Sequence, residues 1–148
     1  MRRLLSPKNA LWICRIISLG FAAVFLLITA RAAKESLLAG GKLILFSALF
    51  FLLVSLLRHL VAAERPYQRG DGTPLRRGKN DSFPSRHAYS AFFIATLAFR
   101  LSAAISYCLF PAAIFLSFLR VFAYVHHPRD VVAGAFLGVL AAIIVLII

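Results

Sequence analysis

The chain has 148 residues, 61% of them hydrophobic, and a mean hydropathy of +0.88. This composition is far more apolar than that of a soluble domain and predicts an integral membrane protein. The net charge of +12, from 17 Lys and Arg against five Asp and Glu, would suggest a nucleic-acid partner in a soluble chain. Here the basic residues alternate with apolar stretches and can meet anionic lipid headgroups, so no nucleic-acid partner is expected.

Five apolar segments are long enough to cross a hydrocarbon core of about 30 Å, which needs roughly 17–25 helical residues. They predict an all-α, polytopic transmembrane bundle of about five spans in a single membrane-embedded domain, residues 1–148. The predicted spans are residues 11–30, 43–62, 85–101, 103–121 and 131–148. We interpret the first as an uncleaved anchor, because "ITARAAKES" matches a signal-peptide cleavage site only loosely. Cys14 and Cys108 fall within spans and are expected to be free thiols.

One long polar stretch, "ERPYQRGDGTPLRRGKNDSFPSR" at 64–86, separates the second and third spans. Its three glycines and three prolines predict a loop rather than a helix. The third and fourth spans then form a hairpin that leaves this face of the membrane and returns to it. Topology therefore brings three polar groups to one surface, namely Arg58 with Arg65, Ser85 to His87, and Arg120 with His126 and Asp130.

The first two groups are suited to binding an anion. Arg58 and Arg65 lie seven residues apart on one side of a helix end, where two guanidiniums can donate forked hydrogen bonds to phosphate or carboxylate. The alternative is a pair of arginines that snorkel to the interface. Ser85–His87 fall in the first helical turn of the third span, with Ser82 as the candidate N-cap, and free N–H groups there favour anions. The alternative is a capped helix with a histidine at the interface.

The third group predicts a reactive histidine. Arg120 lies within a span, where a charged side chain is costly and usually functional. His126 follows it by six residues, and Asp130 follows His126 by four. An aspartate that contacts one imidazole nitrogen fixes the tautomer and leaves the other nitrogen nucleophilic. The adjacent His127 is expected to be a bystander at the interface, and His59 to be structural.

Carboxylates are scarce in this sequence. Its five acids are too few to suggest a two-metal phosphatase, which needs several carboxylates around its ions. No metal and no other cofactor is therefore expected. Arginines would have to neutralise the phosphate charge instead, and covalent catalysis by histidine becomes the natural route.

The order and spacing of these groups resemble the type 2 phosphatidic acid phosphatases, or lipid phosphate phosphatases. That family shows K-x6-R-P, then P-S-G-H, then S-R-x5-H-x3-D. The chain has "RHLVAAERP" at 58–66, "PSRH" at 84–87 and "LRVFAYVHHPRD" at 119–130. Three motifs in the right order make a chance match improbable, and together they span about half of the chain.

Three positions depart from the family pattern. Arg58 replaces the lysine and keeps its charge. Arg86 replaces the glycine and adds a cation for the phosphate or the headgroup, whereas Leu119 replaces the serine and removes a phosphate donor. The family often has six spans, so an early helix is expected to be absent here.

The resemblance implies a metal-independent membrane phosphatase that hydrolyses a lipid or isoprenoid phosphate or diphosphate through a phosphohistidine. His126 would attack phosphorus, Asp130 would orient it, and His87 would protonate the leaving group. The phosphoryl oxygens would be held by Arg58, Arg65, Ser85, Arg86 and Arg120.

Two other functions fit the same motifs. One is a membrane phosphotransferase whose acceptor is not water, and the other is a non-enzymatic anion-binding or transport protein on the same scaffold. The intact His87, His126 and Asp130 argue against the second, since binding alone needs only the arginines. Phosphatidic acid, phosphatidylglycerophosphate, undecaprenyl diphosphate and a prenyl-phosphoryl sugar are all compatible substrates.

The resemblance also implies a bacterial inner membrane as the location. An excess of Lys and Arg flanks the motif side of the spans, and the positive-inside rule therefore favours a cytoplasmic face for the motifs. The family more often faces outward.

Overall fold

The computed structural model describes residues 6–66 and 81–148. Within these ranges the chain forms five α-helices: α1 (Pro7–Glu35), α2 (Leu37–Val61), α3 (Arg86–Leu97), α4 (Ala103–Phe122) and α5 (Pro128–Ile147). The same ranges contain no strand, which confirms the all-α prediction. Residues 67–80, most of the predicted polar loop 64–86, lie outside the described residues.

Four of these helices, α1, α2, α4 and α5, are long and apolar enough to cross a membrane. Their bounds differ from the predicted spans 11–30, 43–62, 103–121 and 131–148 by six residues at most. The predicted span 85–101 is shorter as a helix, because α3 has 12 residues and continues only as one 3₁₀ turn, Ala98–Arg100. Twelve residues cover about 18 Å. Eight of the 12 are buried, so α3 owes its hydropathy to the protein core rather than to lipid.

The end of the bundle opposite the sequence motifs is closed by a tight hairpin and an ion pair. Ser36 alone joins α1 to α2, and its hydroxyl accepts hydrogen bonds from the N–H groups of Leu38 and Ala39. Glu35 pairs with Arg100 at 3.5 Å, which ties the end of α1 to the 3₁₀ turn. Exposed pairs of this kind contribute at most about 1 kcal/mol, so the hairpin is the stronger constraint.

Helices α3 and α5 pack backbone against backbone. Gly134 and Gly138 of α5 lie four residues apart, on the same helix face. A Cβ atom on Gly134 would overlap the carbonyl oxygen of Ser85, and one on Gly138 would overlap the carbonyl oxygen of Tyr89. Small residues at this spacing let two helices approach closely within a membrane. The contact places the beginning of α3 beside the beginning of α5.

We expect Gly134→Ala and Gly138→Ala to destabilise the protein by about 1–3 kcal/mol, because the added methyl group has no space and must push the helices apart. Thermal unfolding in detergent measures the effect.

Gly20→Ala and Gly41→Ala are the matched controls, since nothing lies within 4 Å of a Cβ atom at either position. They should leave stability unchanged or raise it by up to about 1 kcal/mol, because alanine favours helix over glycine. A Gly138→Ala protein as stable as these controls would refute the close approach of α3 and α5.

Candidate functional site

The three polar groups of the sequence meet at one end of the bundle. The Ser85 N–H donates to the carbonyl oxygen of Asp130 at 2.9 Å, which joins the second group to the third. Arg58 and Arg65 lie close enough to His126 to act on it electrostatically, which joins the first group to the third. The structure thereby brings together every predicted site residue, namely Arg58, Arg65, Ser85, Arg86, His87, Arg120, His126 and Asp130.

His126 lies in the connection between α4 and α5, where the chain reverses. Tyr124 has a left-handed φ of 55°, a conformation that costs a non-glycine residue some energy and turns the chain back. The N–H groups of Val125 and His126 both point to the carbonyl oxygen of Arg120, at 3.2 and 3.3 Å. This turn holds the His126 ring against α4, and only 1% of the residue is exposed.

The two nitrogens of the His126 ring have different neighbours. Nδ1 lies 3.7 Å from Asp130 Oδ2, too far for a direct hydrogen bond, so Asp130 acts on the ring as a nearby charge. Nε2 lies 3.5 Å from Arg120 Nη2. A proton on Nδ1 faces the carboxylate, and the lone pair then remains on Nε2.

The charge state of His126 follows from its surroundings. Burial lowers its pKa to about 4; Asp130 opposes this shift, and the positive charge of Arg120 adds to it. The ring is therefore neutral at pH 7, with an unprotonated Nε2 that faces Arg120 Nη2. A neutral imidazole beside several guanidiniums is suited to attack on an anionic group that those guanidiniums bind.

Asp130 is held by two hydrogen-bond donors besides its proximity to His126. Its Oδ2 accepts from Ser82 Oγ and from the N–H of His127, the latter at 2.9 Å. Asp130 and Ser82 are both fully buried. This fixes the carboxylate on the Nδ1 side of the ring, and His127 contributes to that through its backbone rather than its imidazole.

The prediction that Ser82 caps α3 is wrong. The residue before α3 is Ser85, whose hydroxyl accepts from the Ala88 N–H at 3.5 Å. Residues 83–84 form a bend, so the helix begins only at Arg86. Ser82 is thereby free to donate to Asp130, 48 residues away. No local pattern in the sequence indicates this contact.

Arg58 and Arg65 converge on a carboxylate that the sequence analysis passed over. Arg58 Nη2 lies 2.7 Å from Asp81 Oδ2, and Arg65 Nε lies 2.8 Å from Asp81 Oδ1. Burial raises the pKa of Asp81, but hydrogen bonds from Arg65 and Arg58 outweigh burial and hold it below its usual range. The one signal in the sequence was an acid three residues before the second motif, "PSRH" at 84–87. The contact shows that this pair of arginines binds an oxyanion.

Arg120 has a buried donor without a partner in the described part of the chain, whereas the neighbouring Leu119 belongs to the apolar core. Arg120 Nε is buried and has no hydrogen-bond partner within the described part of the chain. An unmet donor of this kind costs about 1–3 kcal/mol unless a ligand satisfies it. Leu119 is fully buried in an apolar cluster with Ala10, Cys14 and Leu116. The departure from serine at position 119 therefore adds to the core between α1 and α4.

A cavity of about 590 Å³ lies beside these residues, between α1, α2, α3 and α4. Its walls are mostly apolar and include Phe21, Phe25 and Phe51. Arg86 and His87 at the beginning of α3 line the same cavity, and His87 is exposed. An apolar molecule with an anionic end fits this combination.

His59, Cys14 and Cys108 were not assigned to the site from the sequence. His59 is exposed on α2. Cys14 is buried and Cys108 is exposed, and both are free thiols, as predicted. Across residues 6–66 and 81–148, no group of three or more His, Cys, Asp or Glu side chains is placed to hold a metal ion.

Comparison with known proteins gave one family match and two solved structures. The model of a family described as the PAP2 superfamily matches residues 16–148. No curated protein matches the chain significantly. The first transmembrane PAP2-type phosphatidylglycerolphosphate phosphatase from Bacillus subtilis is 21% identical with a TM-score of 0.70, over 94% of this chain and 80% of that one. Aquifex aeolicus LpxE is 27% identical with a TM-score of 0.60, over 93% of this chain and 94% of that one.

We expect Asp81→Asn to lower the unfolding temperature at pH 7 in phosphate-free buffer, because Arg58 and Arg65 lose their common partner. A depressed carboxyl pKa gives stability that is fully present above the pKa of the unfolded chain, about 3.9. It is lost as the pH falls through the folded value. The difference between wild type and variant should therefore stay constant from pH 7 to about 5 and shrink below about 4.

Glu35→Gln is the matched control, since Glu35 also pairs with two arginines, Arg31 and Arg100, but is more exposed. It should change the unfolding temperature less than Asp81→Asn does. An equal effect of the two substitutions would show that Asp81 is only a surface partner of the arginines.

Proposed function

The chain belongs to the PAP2 superfamily, and we propose that it is an integral membrane phosphatase that hydrolyses a lipid phosphate through a phosphohistidine. One observation carries the proposal. His126 is neutral and buried, with Nδ1 facing Asp130 and Nε2 facing Arg120, at the end of the bundle where the other arginines converge. Binding alone would need the arginines but not an oriented, unprotonated imidazole.

The substrate class follows from the cavity and from Asp81. Arg58 and Arg65 bind a carboxylate in this structure, and a phosphoryl group likewise offers anionic oxygens to guanidinium donors. The adjoining cavity is mostly apolar and lies among membrane helices, which suits a lipid tail. The similar Bacillus subtilis protein is a phosphatidylglycerolphosphate phosphatase, and its substrate is a molecule of this kind.

In the first step, His126 Nε2 attacks phosphorus while arginine side chains hold the phosphoryl oxygens. Arg120 has a free Nε donor for this purpose, and Arg58 and Arg65 supply further positive charge. The bond between phosphorus and the lipid oxygen breaks. His87, which takes up a proton when the anionic phosphoryl group is bound beside it, donates that proton to the oxygen. Asp130 stabilises the positive charge that develops on the His126 ring.

In the second step, water attacks the phosphohistidine and releases inorganic phosphate. His87, now without its proton, accepts one from the attacking water and returns to its starting state. An acceptor other than water would make the protein a phosphotransferase, and release of inorganic phosphate distinguishes the two.

We expect His126→Ala to lower turnover of a lipid phosphate by about 10⁴-fold or more and to abolish an acid-labile phosphoenzyme, because the nucleophile is gone. His127→Ala should retain activity within about tenfold, since its contact with Asp130 uses the backbone N–H, which alanine keeps. Asp130→Asn should fall between the two.

Both readouts, inorganic phosphate release and trapping of the phosphoenzyme, apply to all three variants. A phosphoenzyme that persists in His126→Ala but disappears in His127→Ala would show that the nucleophile is His127 and not His126.

We also expect full activity in excess chelator, because cations of the protein itself neutralise the phosphoryl charge. The measurement is phosphate release by the purified protein before and after treatment with EDTA, with magnesium added back. Loss of most activity on chelation, restored by magnesium, would contradict catalysis by arginine and histidine alone.

A further inference from the structure

Arg86 stands at the boundary between the candidate site and the apolar cavity. It is the first residue of α3, directly before His87, and both line the cavity. The other polar side chains of the lining are the hydroxyls of Ser18 and Ser90. Arg86 is therefore the permanent positive charge of an otherwise apolar and neutral wall.

Arg86 differs from the neighbouring arginines in its partners. Its guanidinium carbon lies 5.9 Å from the centroid of the Phe51 ring, within range of a cation–π contact. Within the described part of the chain no carboxylate forms an ion pair with Arg86, whereas Asp81 binds both Arg58 and Arg65. The aromatic contact supports the guanidinium from one side and leaves its N–H donors available to an anion.

Arg86 lies on the side of the leaving group rather than on the side of the nucleophile. In phosphoryl transfer the attacking and leaving atoms lie roughly in line on opposite sides of phosphorus. His126 is buried in the α4–α5 connection and does not line the cavity, whereas His87 and Arg86 do. The cavity, and with it Arg86, is thus on the side where the lipid departs.

A lipid monophosphate and a lipid with two phosphates leave chemically different groups on the cavity side. A monophosphate departs as an alcohol, for which a proton from His87 is sufficient. A lipid with a second phosphate departs as a phosphate ester and carries negative charge against an apolar wall. Such a charge is costly in that environment unless a cation is paired with it.

We propose that Arg86 binds a second phosphate of the substrate, between the transferred phosphoryl group and the lipid tail, so that the enzyme prefers lipids with two phosphates. This inference rests on the proposed function. In the reaction the bond between the terminal phosphorus and the oxygen on its lipid side breaks, and the Nε2–phosphorus bond to His126 forms. The electron pair stays on that oxygen, which belongs to the departing phosphate in a diphosphate and takes a proton from His87 where a glycerol spacer makes it an alkoxide. Arg86 stabilises the charge of the departing lipid phosphate, and water later cleaves the Nε2–phosphorus bond to release inorganic phosphate.

The experiment compares three lipids with wild type, Arg86→Gly, Arg86→Gln and Arg86→Lys. The lipids are a prenyl monophosphate, the matching prenyl diphosphate, and a diacyl lipid in which glycerol separates a terminal from an inner phosphate. For one or both of the two-phosphate lipids, kcat/KM should fall about 10–100-fold in Arg86→Gly and Arg86→Gln. For the monophosphate it should fall less than about threefold. Arg86→Lys should restore part of the loss, since it keeps the charge without the forked donors.

A selective loss on the diphosphate identifies directly bonded phosphates as the ligand, and a selective loss on the diacyl lipid identifies phosphates joined by a spacer. Equal losses on all three lipids, or no loss on any, would overturn the inference. Arg15→Gln is the control, because Arg15 is exposed on α1 at the same end of the bundle and does not line the cavity. Its ratio of two-phosphate to monophosphate activity should equal that of wild type.

A binding measurement separates this inference from the proposed function. Wild type should bind a methylene-bridged diphosphonate prenyl lipid at least tenfold more tightly than the monophosphonate, and Arg86→Gly should remove the difference. If wild type shows this preference but hydrolyses no lipid, the phosphatase proposal fails and the role of Arg86 stands. If wild type hydrolyses lipids but the preference is absent, the role of Arg86 fails and the phosphatase proposal stands. Absence of both hydrolysis and preference would overturn both.

Discussion

The close approach of α3 and α5 is the contact on which the rest of the site depends. His87 is the second residue of α3, and His126 lies two residues before α5, so their separation is set by how near the two backbones can come. Gly134 and Gly138 remove the side chains that would keep the helices apart. The hydrogen bond from the Ser85 N–H to the Asp130 carbonyl then fixes the alignment along the helix axes. Two residues that are distant in the sequence become partners through packing alone.

Two carboxylates act on this strongly basic end of the bundle in different ways. Asp81 is partly exposed and lies between two guanidiniums, so it screens their mutual repulsion while the site holds no phosphate. Asp130 is fully buried beside a single imidazole and is fixed by Ser82. On the proposed function, Asp81 gives way to the phosphoryl group when the substrate binds, whereas Asp130 keeps its position beside His126.

The sequence was sufficient to predict four of the five helices as membrane spans and to predict which polar groups gather at one end of the bundle, because apolar length and motif spacing are local properties. It predicted too long a third span, since hydropathy does not distinguish a segment that faces lipid from one that is enclosed by other helices, as α3 is. The partnership of Ser82 with Asp130 and the pairing of Asp81 with Arg58 depend on the tertiary fold, and no periodicity encodes them. The sequence shows the Gly134-x3-Gly138 spacing, but that spacing alone does not indicate which helix packs against α5.

Part of the cavity wall comes from α1, which holds none of the three motifs. Five of its lining residues belong to α1, namely Ser18, Phe21, Ala22, Phe25 and Leu26. The motifs begin only at Arg58, in α2 and beyond. On the proposed function, part of the wall that meets the lipid tail is therefore encoded apart from the residues that act on the headgroup. Substitutions in the first helix can retune chain length or branching of the accepted lipid while the reacting groups stay unchanged, so the two specificities can evolve independently.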